Sequence, residues 1–424
     1  MLRCLRFVSA GESHGPSLTA ILEGLPAGLS VNRAALRREM VRRRRGFGRS
    51  ARMRMESDPV AITGGVVAGK TTGGPVALHV PNADYANWRD KEIAPMTVPR
   101  PGHVDFAATV KYGYDDLRHG SERGSARETA MRLAAGALCK QLLAQFDIEV
   151  GGWVARIGSL DTCTPRGGPQ AASSPNVPVN QRTSVSKAPQ GTQSPRRWIA
   201  QARESAFALG NKELDDQARR MIHATMKAHD TLGGVLAVAA LGVPIGLGSH
   251  VQWDRRLDAR LAGALMSIPA IKGVEIGSAF ANAGACGTAV HDAFVVDEEK
   301  CVGRKSNRAG GIEGGISNGQ PVVARLAMKP ISTTLTSQES VDLANGRPQA
   351  MRYERSDFCA VTRALPIAEA VLALVLADAL LEKLGGDHLD EMRERFAGLP
   401  TGRVADFHLR NAPWHMSYEG TGEL

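Results

Sequence analysis

Aromatic residues are scarce in this chain: Phe, Trp and Tyr make up 5% of its 424 residues. Proteins that bind single-stranded nucleic acid need such rings as stacking platforms, so the shortage weighs against that class despite a net charge of +9. Cysteine is also sparse. Cys4, Cys139, Cys163, Cys286, Cys301 and Cys359 include no CxxC pair and have no histidine at zinc spacing, so neither a disulfide framework nor a metal site is expected. Reduced thiols in a cytoplasmic protein are the expectation. Residues 1–10 hold two arginines and no apolar core, which argues against a signal peptide. One run, residues 364–381, is apolar enough to suggest a membrane span, but it contains Pro366, Glu369 and Asp378. Acids at mid-membrane cost about 2.5–3.5 kcal/mol each, so a helix buried in a protein core is the better reading.

What is present is glycine (46 residues), 43% hydrophobic content and a pI near 9.4. The first two fit a globular enzyme with many tight turns, and the basic balance makes polyanions, membranes or highly acidic small substrates candidate partners. The length allows two or three domains or one large unit.

Residues 98–143 organise the rest. Val98-Pro99-Arg100-Pro101-Gly102-His103 is a rigid loop that presents a histidine. Ser125 and Glu128 have the spacing of a capping box, and Ala126, Ala130, Leu133, Ala134, Ala137, Leu138 and Leu142 follow at helical spacing. Arg118, Arg123 and Arg127 are expected to crowd the N-terminus of that helix, making a receptacle for an anion. The plainer alternative is a solvated basic turn.

Along the chain, residues 3–9 and 18–23 read as strands flanking Gly11-Glu12-Ser13-His14-Gly15-Pro16, which places His14 on a hairpin tip suited to proton chemistry. Asn32 should cap a helix ending in Arg42-Arg43-Arg44-Arg45-Gly46-Phe47-Gly48-Arg49, with Arg52 soon after. Such a loop is expected to be mobile and to clasp phosphate or carboxylate, or else to serve as a nucleic-acid patch. Gly64, Gly69, Lys70 and Thr71 match a phosphate-binding P-loop, but Thr72-Gly73-Gly74-Pro75 is turn chemistry where a helix is required, so the match is read as accidental. Residues 161–195 lose periodicity and read as an insertion. Helices are predicted over 212–229 and 254–268, and strands over 232–247 and 324–328. Asn307-Arg308-Ala309-Gly310-Gly311-Ile312-Glu313-Gly314-Gly315 would let backbone approach a flat ligand, and Lys329-Pro330-Ile331-Ser332-Thr333-Thr334 suits a phosphate. Arg355-Ser356-Asp357 precedes the apolar helix, with Pro366 expected near its first turn, and the tail beyond Gly386 reads as peripheral.

Taken together, these motifs resemble the chorismate synthases. The resemblance rests on Gly11-Glu12-Ser13-His14-Gly15, the arginine-rich loop to Arg49, Arg100-Pro101-Gly102-His103, Arg123-Gly124-Ser125-Ala126-Arg127-Glu128-Thr129, Lys329-Pro330-Ile331-Ser332-Thr333 and Arg355-Ser356-Asp357, all in the family's order. It implies an α+β fold: a β-α-β sandwich with central helices between two antiparallel sheets, over a single catalytic domain at residues 1–386 followed by an extension at 387–424. It implies elimination of phosphate from 5-enolpyruvylshikimate 3-phosphate to give chorismate, with reduced FMN required and no net redox change. His14 matches the acid for the departing phosphate, His103 the group beside the reduced flavin, and Asp357 the carboxylate that acts with flavin N5 on the C6 proton. Arg43, Arg49, Arg52, Arg100 and Arg127 match cations for substrate or NADP, with Arg43 and Arg49 at nicotinamide-nucleotide positions. Flavin contacts fall on Arg123, Gly124, Ser125, Pro269, Ala270, Gly314, Lys329, Pro330, Ile331, Ser332, Thr333 and Arg355.

A homotetramer in the cytoplasm is implied, with no nucleic-acid or membrane partner. NADPH is a candidate source of electrons, and because no GxGxxG follows a strand, an external flavin reductase is expected. Two departures stand out: Pro269 replaces a usual amide, and Gly124 a usual alanine or serine. The bottom-up chemistry agrees, since a phosphate, two carboxylates and a flavin anion can share a dry cleft only among cations.

Overall fold

The computed structural model describes residues 2–44, 47, 57–162, 194–351, 353 and 357–414. Two antiparallel sheets enclose a layer of helices. The first sheet contains β1 (Arg6–Ala10), β2 (Ser17–Glu23), β3 (Ala61–Gly64) and β4 (Val76–Pro81), in the order β1-β2-β4-β3. Leu18, Ala20 and Leu22 face Val80, Leu78 and Val76 across the β2–β4 register, and all six are buried. The period-2 pattern turns one face of this sheet inward. The second sheet contains β5 (Glu149–Ile157), β6 (Leu160–Asp161), β7 (Gly234–Leu241), β8 (Ile271–Ile276) and β9 (Val322–Met328), in the order β8-β9-β7-β5-β6. Strand β7 is buried continuously from Leu236 to Leu241, as a strand covered on both faces should be.

The longer helices are α1 (Arg33–Arg43), α2 (Asp105–Tyr112), α3 (Leu117–Gly124), α4 (Thr129–Ala144), α5 (Pro195–Glu204), α6 (Lys212–Lys227), α7 (Leu257–Met266), α8 (Val361–Leu384) and α9 (Leu389–Ala397). Helix α4 packs on β2 and β4, α8 packs on β5 and β7, and the two helices pack on each other, which completes the expected sandwich. Their approach is close at Gly136, where a Cβ would sit 2.4 Å from the Cβ of Ala370.

The run mistaken most easily for a membrane span is α8, and its apolar window is entirely buried inside the sandwich. Its acids are neutralised there. Glu369 accepts from Arg42 and Lys140, each at 2.6 Å. Asp378 accepts the backbone N–H groups of Arg3, Cys4 and Leu5 and pairs with Arg260. Burial alone would push the Glu369 carboxyl up, but the Arg42 and Lys140 charges overcome it and hold the group well below the usual range.

Several local expectations need correction. Residues 117–124 form a helix that periodicity did not predict. Ser125 caps a 3-10 turn (Ala126–Glu128) by accepting from the Arg127 N–H at 3.3 Å, while Glu128 pairs with Arg132 and makes no capping box. Pro366 is the sixth residue of α8, inside the helix and beyond its first turn. The P-loop look-alike, by contrast, is as expected: no helix follows Lys70-Thr71, and the stretch is two short strands, Val66–Val67 and Lys70–Thr71, with Lys70 exposed. In the tail, α9 buries Leu389 and Met392 against the body, so that part is packed on the core. Most of the 161–195 segment lies outside the described residues.

Candidate active site

The turn between β1 and β2 carries His14, and α3 holds it. The Glu122 carboxylate accepts the His14 backbone N–H and contacts ring Nδ1, both at 2.6 Å. The ring lies against Trp88, with centroids 4.3 Å apart, and its Nε2 is 4.0 Å from the buried Asp84 carboxylate. Asn82 braces the same turn, donating to the carbonyls of Glu12 (3.1 Å) and Gly15 (2.7 Å). Arg123 donates to the Ser9 carbonyl at 3.0 Å, and Ser125 donates to Ser13 Oγ at 3.2 Å.

His103 is fixed from its other side. Asp105, fully buried at the start of α2, accepts from Arg100 Nε at 2.7 Å and contacts His103 Nδ1 at 2.5 Å. Burial would raise this carboxyl, but the hydrogen bonds from Arg100 and His103 win and hold it far below the usual carboxylate range. Arg100 also reaches Ser121 Oγ. Ser121 and Glu122 are consecutive on α3, so one helical turn holds the supports of both histidines. At Gly124, a Cβ would lie 2.3 Å from Val104 Cγ1 and 4.0 Å from His103 Cε1. A side chain at position 124 would therefore press on the neighbouring valine, one of the two having to give.

A third group gathers on Asp58, whose side chain is fully buried. It accepts from Arg43 at 3.1 Å and from Arg127, while Arg127 Nε also reaches Asn82 at 2.9 Å. Burial raises the Asp58 carboxyl and the Arg43 and Arg127 charges lower it, with the net shift downward. Burial and the neighbouring Arg127 and Arg363 charges lower Arg43, which also feels Asp357. Asp357 pairs with Arg363 at the start of α8. The chain of contacts thus runs from the His14 turn through Asn82, Arg127 and Asp58 to Arg43, beside Asp357.

The residues expected from the resemblance to contact flavin meet the His103 loop. Lys329 donates to the Gly102 carbonyl at 2.9 Å, and a Cβ on Gly102 would lie 3.4 Å from Ser332. Thr231 donates to the Ile331 carbonyl at 2.8 Å, and Thr333 is buried. Ala270 sits next to Pro269 with φ of +68°, and its carbonyl accepts from the Lys329 N–H at 2.9 Å. A non-glycine residue in that region stores strain that a functional turn commonly carries. Gly314 has φ of +58° with open space around it, whereas Gly310 and Gly311 pack against backbone. Burial, with Lys272 nearby, lowers the Lys329 ammonium, and no carboxylate pairs with it among the described residues.

The expected cluster of Arg118, Arg123 and Arg127 at one helix end is not what forms. Arg118 donates to the Ala94 carbonyl, Arg123 to the β1–β2 turn, and Arg127 is buried on Asp58. Arg43, expected in a mobile loop, is a buried member of α1. Arg49, Arg52 and Arg355 lie outside the described residues. The sequence reading missed Asp58, Asn82, Asp84, Trp88, Asp105, Ser121 and Glu122. Two of these had a usable signal: Asp105 is two residues past His103, and Glu122 adjoins Arg123.

Comparison with known proteins then places the chain. A family model described as chorismate synthase matches residues 5–381. The chorismate synthase of Pelodictyon phaeoclathratiforme (strain DSM 5477 / BU-1) is 46% identical over 400 residues, covering 92% of this chain and 96% of that protein. That of Aquifex aeolicus (strain VF5) is 45% identical over 404 residues, covering 93% and 97%. A crystal structure of chorismate synthase matches with a TM-score of 0.71 at 39% identity, covering 94% of this chain and 97% of that one.

Proposed function

Because the chain belongs to the chorismate synthase family, we propose that its site eliminates phosphate from 5-enolpyruvylshikimate 3-phosphate with reduced FMN bound beside His103. The activity class is the family's: a carbon–oxygen lyase of the shikimate pathway to aromatic amino acids, acting on a small substrate. The observation that best supports the residue roles is the tethering of His14 and the Arg100–His103 pair to consecutive residues of α3.

In this reading His14 protonates the departing phosphate through Nε2, since Nδ1 is committed to Glu122. Asp357 takes part in removing the C6 proton; the electrons of that C–H bond form a C1=C6 double bond, the existing C1=C2 pair shifts to C2=C3, and the C3–O bond breaks with its electrons on the phosphate. Arg43 and Arg127, held by Asp58, present fixed cations to substrate carboxylate or phosphate, where preorganised charge lowers the barrier. Arg49 and Arg52 complete this set. Arg100 holds His103 through Asp105, so its part is mainly one of support.

Bound reduced FMN would supply an electron-rich ring with a basic N5. The residues present fit it: Lys329, half-buried and with no carboxylate partner among the described residues, suits an anionic group, and Gly314 leaves room for a flat one. Arg123, Gly124, Ser125, Pro269, Ala270, Pro330, Ile331, Ser332, Thr333 and Arg355 would complete its surroundings. We further assign reducing equivalents to an external flavin reductase, with NADPH as the electron source, in a cytoplasmic homotetramer. Exposed Phe280, Phe294 and Val296 suit burial against another copy, which light scattering would detect.

The test is anaerobic phosphate release from 5-enolpyruvylshikimate 3-phosphate. Turnover should require reduced FMN and fall severely in His14→Ala and Asp357→Ala. Equal turnover with oxidised FMN, or with none, would refute the cofactor assignment.

A further inference from the structure

We propose that Glu122 is a positioning residue that fixes the tautomer and aim of His14. The proposal rests on His14 being the acid for the leaving phosphate.

Each carboxylate oxygen of Glu122 contacts His14, one taking the backbone N–H and the other the ring Nδ1, at 2.6 Å each. Its own carbonyl accepts the Ser13 N–H at 3.2 Å, so residues 13 and 14 are joined to the last turn of α3 three times over. A carboxylate can only accept, so the ring nitrogen facing it must carry a proton. That leaves Nε2 as the atom that exchanges a proton with a ligand. Trp88 limits ring rotation on one face, and its indole N–H donates to Asp84 Oδ2 at 3.2 Å. Asn87 holds the other Asp84 oxygen at 3.0 Å, so the carboxylate that stands 4.0 Å from His14 Nε2 is itself anchored. Holding an acid in one orientation removes rotational freedom that the transition state would otherwise have to give up. The Glu122 side chain is 16% exposed, so its charge is only partly screened by water.

Three substitutions separate the roles. Glu122→Ala removes both grips. Glu122→Gln keeps one acceptor and loses the charge. Glu122→Asp keeps the charge on a stem one methylene shorter. We expect kcat to fall about 10²-fold in Glu122→Ala, the lower end of what a placed general acid contributes. KM for substrate and flavin affinity should stay within about twofold, and the other two variants should fall between Glu122→Ala and the parent. Nitrogen NMR of 15N-histidine-labelled enzyme should show Nδ1 of His14 protonated in the parent both in the imidazolium that donates from Nε2 and in the neutral ring left after that donation, and a mixture of neutral tautomers in Glu122→Ala. Unchanged kcat with an unchanged tautomer would overturn the proposal. So would a loss of activity that follows the melting temperature and flavin affinity, since that would mark a purely structural residue. His14→Ala keeps the two claims apart. If it turns over normally, the role of His14 fails. If it is inactive while Glu122→Ala is fully active, only the Glu122 proposal fails.

Discussion

Gly124 and Val104 should behave as a coupled pair. A Cβ at position 124 would lie 2.3 Å from Val104 Cγ1 and 3.4 Å from Val104 Cβ. The φ of Gly124 is outside the left-handed region, so no backbone strain accompanies a side chain there, and the clash alone decides the outcome. Overpacking of this kind costs about 1–3 kcal/mol. Replacing glycine by alanine returns about 0.4–1 kcal/mol through the unfolded chain. Gly124→Ala should therefore lose a net 0.5–2 kcal/mol or so. Val104 is 39% exposed, so Val104→Ala alone loses little, about 1 kcal/mol at most. In the double variant the clash is gone while the entropic gain remains, so it should be at least as stable as Val104→Ala. The coupling between the two sites should equal the relieved clash, about 1–3 kcal/mol. Thermal melts of the four proteins, with flavin titrations alongside, give the cycle, at about 1–2 °C per kcal/mol for a chain of this size. Flavin affinity should drop in Gly124→Ala, because the displaced Val104 adjoins His103, and should recover in the double variant. Effects that add within about 0.5 kcal/mol would refute the reasoning.

Three further outcomes follow from the same geometry. Asp58→Ala leaves Arg43 and Arg127 buried without their shared carboxylate, so thermal melts should show a loss of about 3–5 kcal/mol, with a raised KM for substrate; an unchanged midpoint would remove Asp58 from its central place. Asp58, Asp105 and Glu369 all titrate below their ordinary values in the folded chain, so each contributes stability that is present above the unfolded carboxylate range, about pH 4, and is lost as pH falls below it; melts should be flat in this respect from about pH 6 to 5 and drop on further acidification. Lys329→Met should weaken flavin binding about tenfold or more, equivalent to at least 1.4 kcal/mol, and leave the melting temperature of the flavin-free protein near its original value; an unchanged affinity would move the anionic group elsewhere.

Some of this arrangement was legible in the sequence and some was not, for identifiable reasons. The alternation in Leu18, Ala20 and Leu22 and the all-round apolar character of α8 signal a half-buried strand and a core helix. Asn32 was readable as a cap, and its side chain accepts the Ala35 N–H at 2.9 Å. Helix α3 was hidden because Leu117-Arg118-His119-Gly120-Ser121-Glu122-Arg123-Gly124 has one large apolar residue and two glycines. It forms because α2 supports it closely: a Cβ on Gly120 would lie 2.7 Å from that of Ala108. Arg127 looked like a surface cation because its partner Asp58 is 69 residues away, and no local pattern reports a contact at that separation. The order of the sandwich layers came from family resemblance, since periodicity tells which face of an element is buried and not what covers it. The motif histidines were found directly, but the acids that aim them were not. Short loops that carry chemistry are easier to read than the buried groups that hold them.

The most direct test of convergence is a structure of this protein with FMN and 5-enolpyruvylshikimate 3-phosphate bound. The account predicts a phosphate oxygen within about 2.6–3.2 Å of His14 Nε2, with the flavin ring against His103 in the same cleft. Ligands that bind with the two imidazoles in separate clefts, or with His14 facing neither, would contradict it.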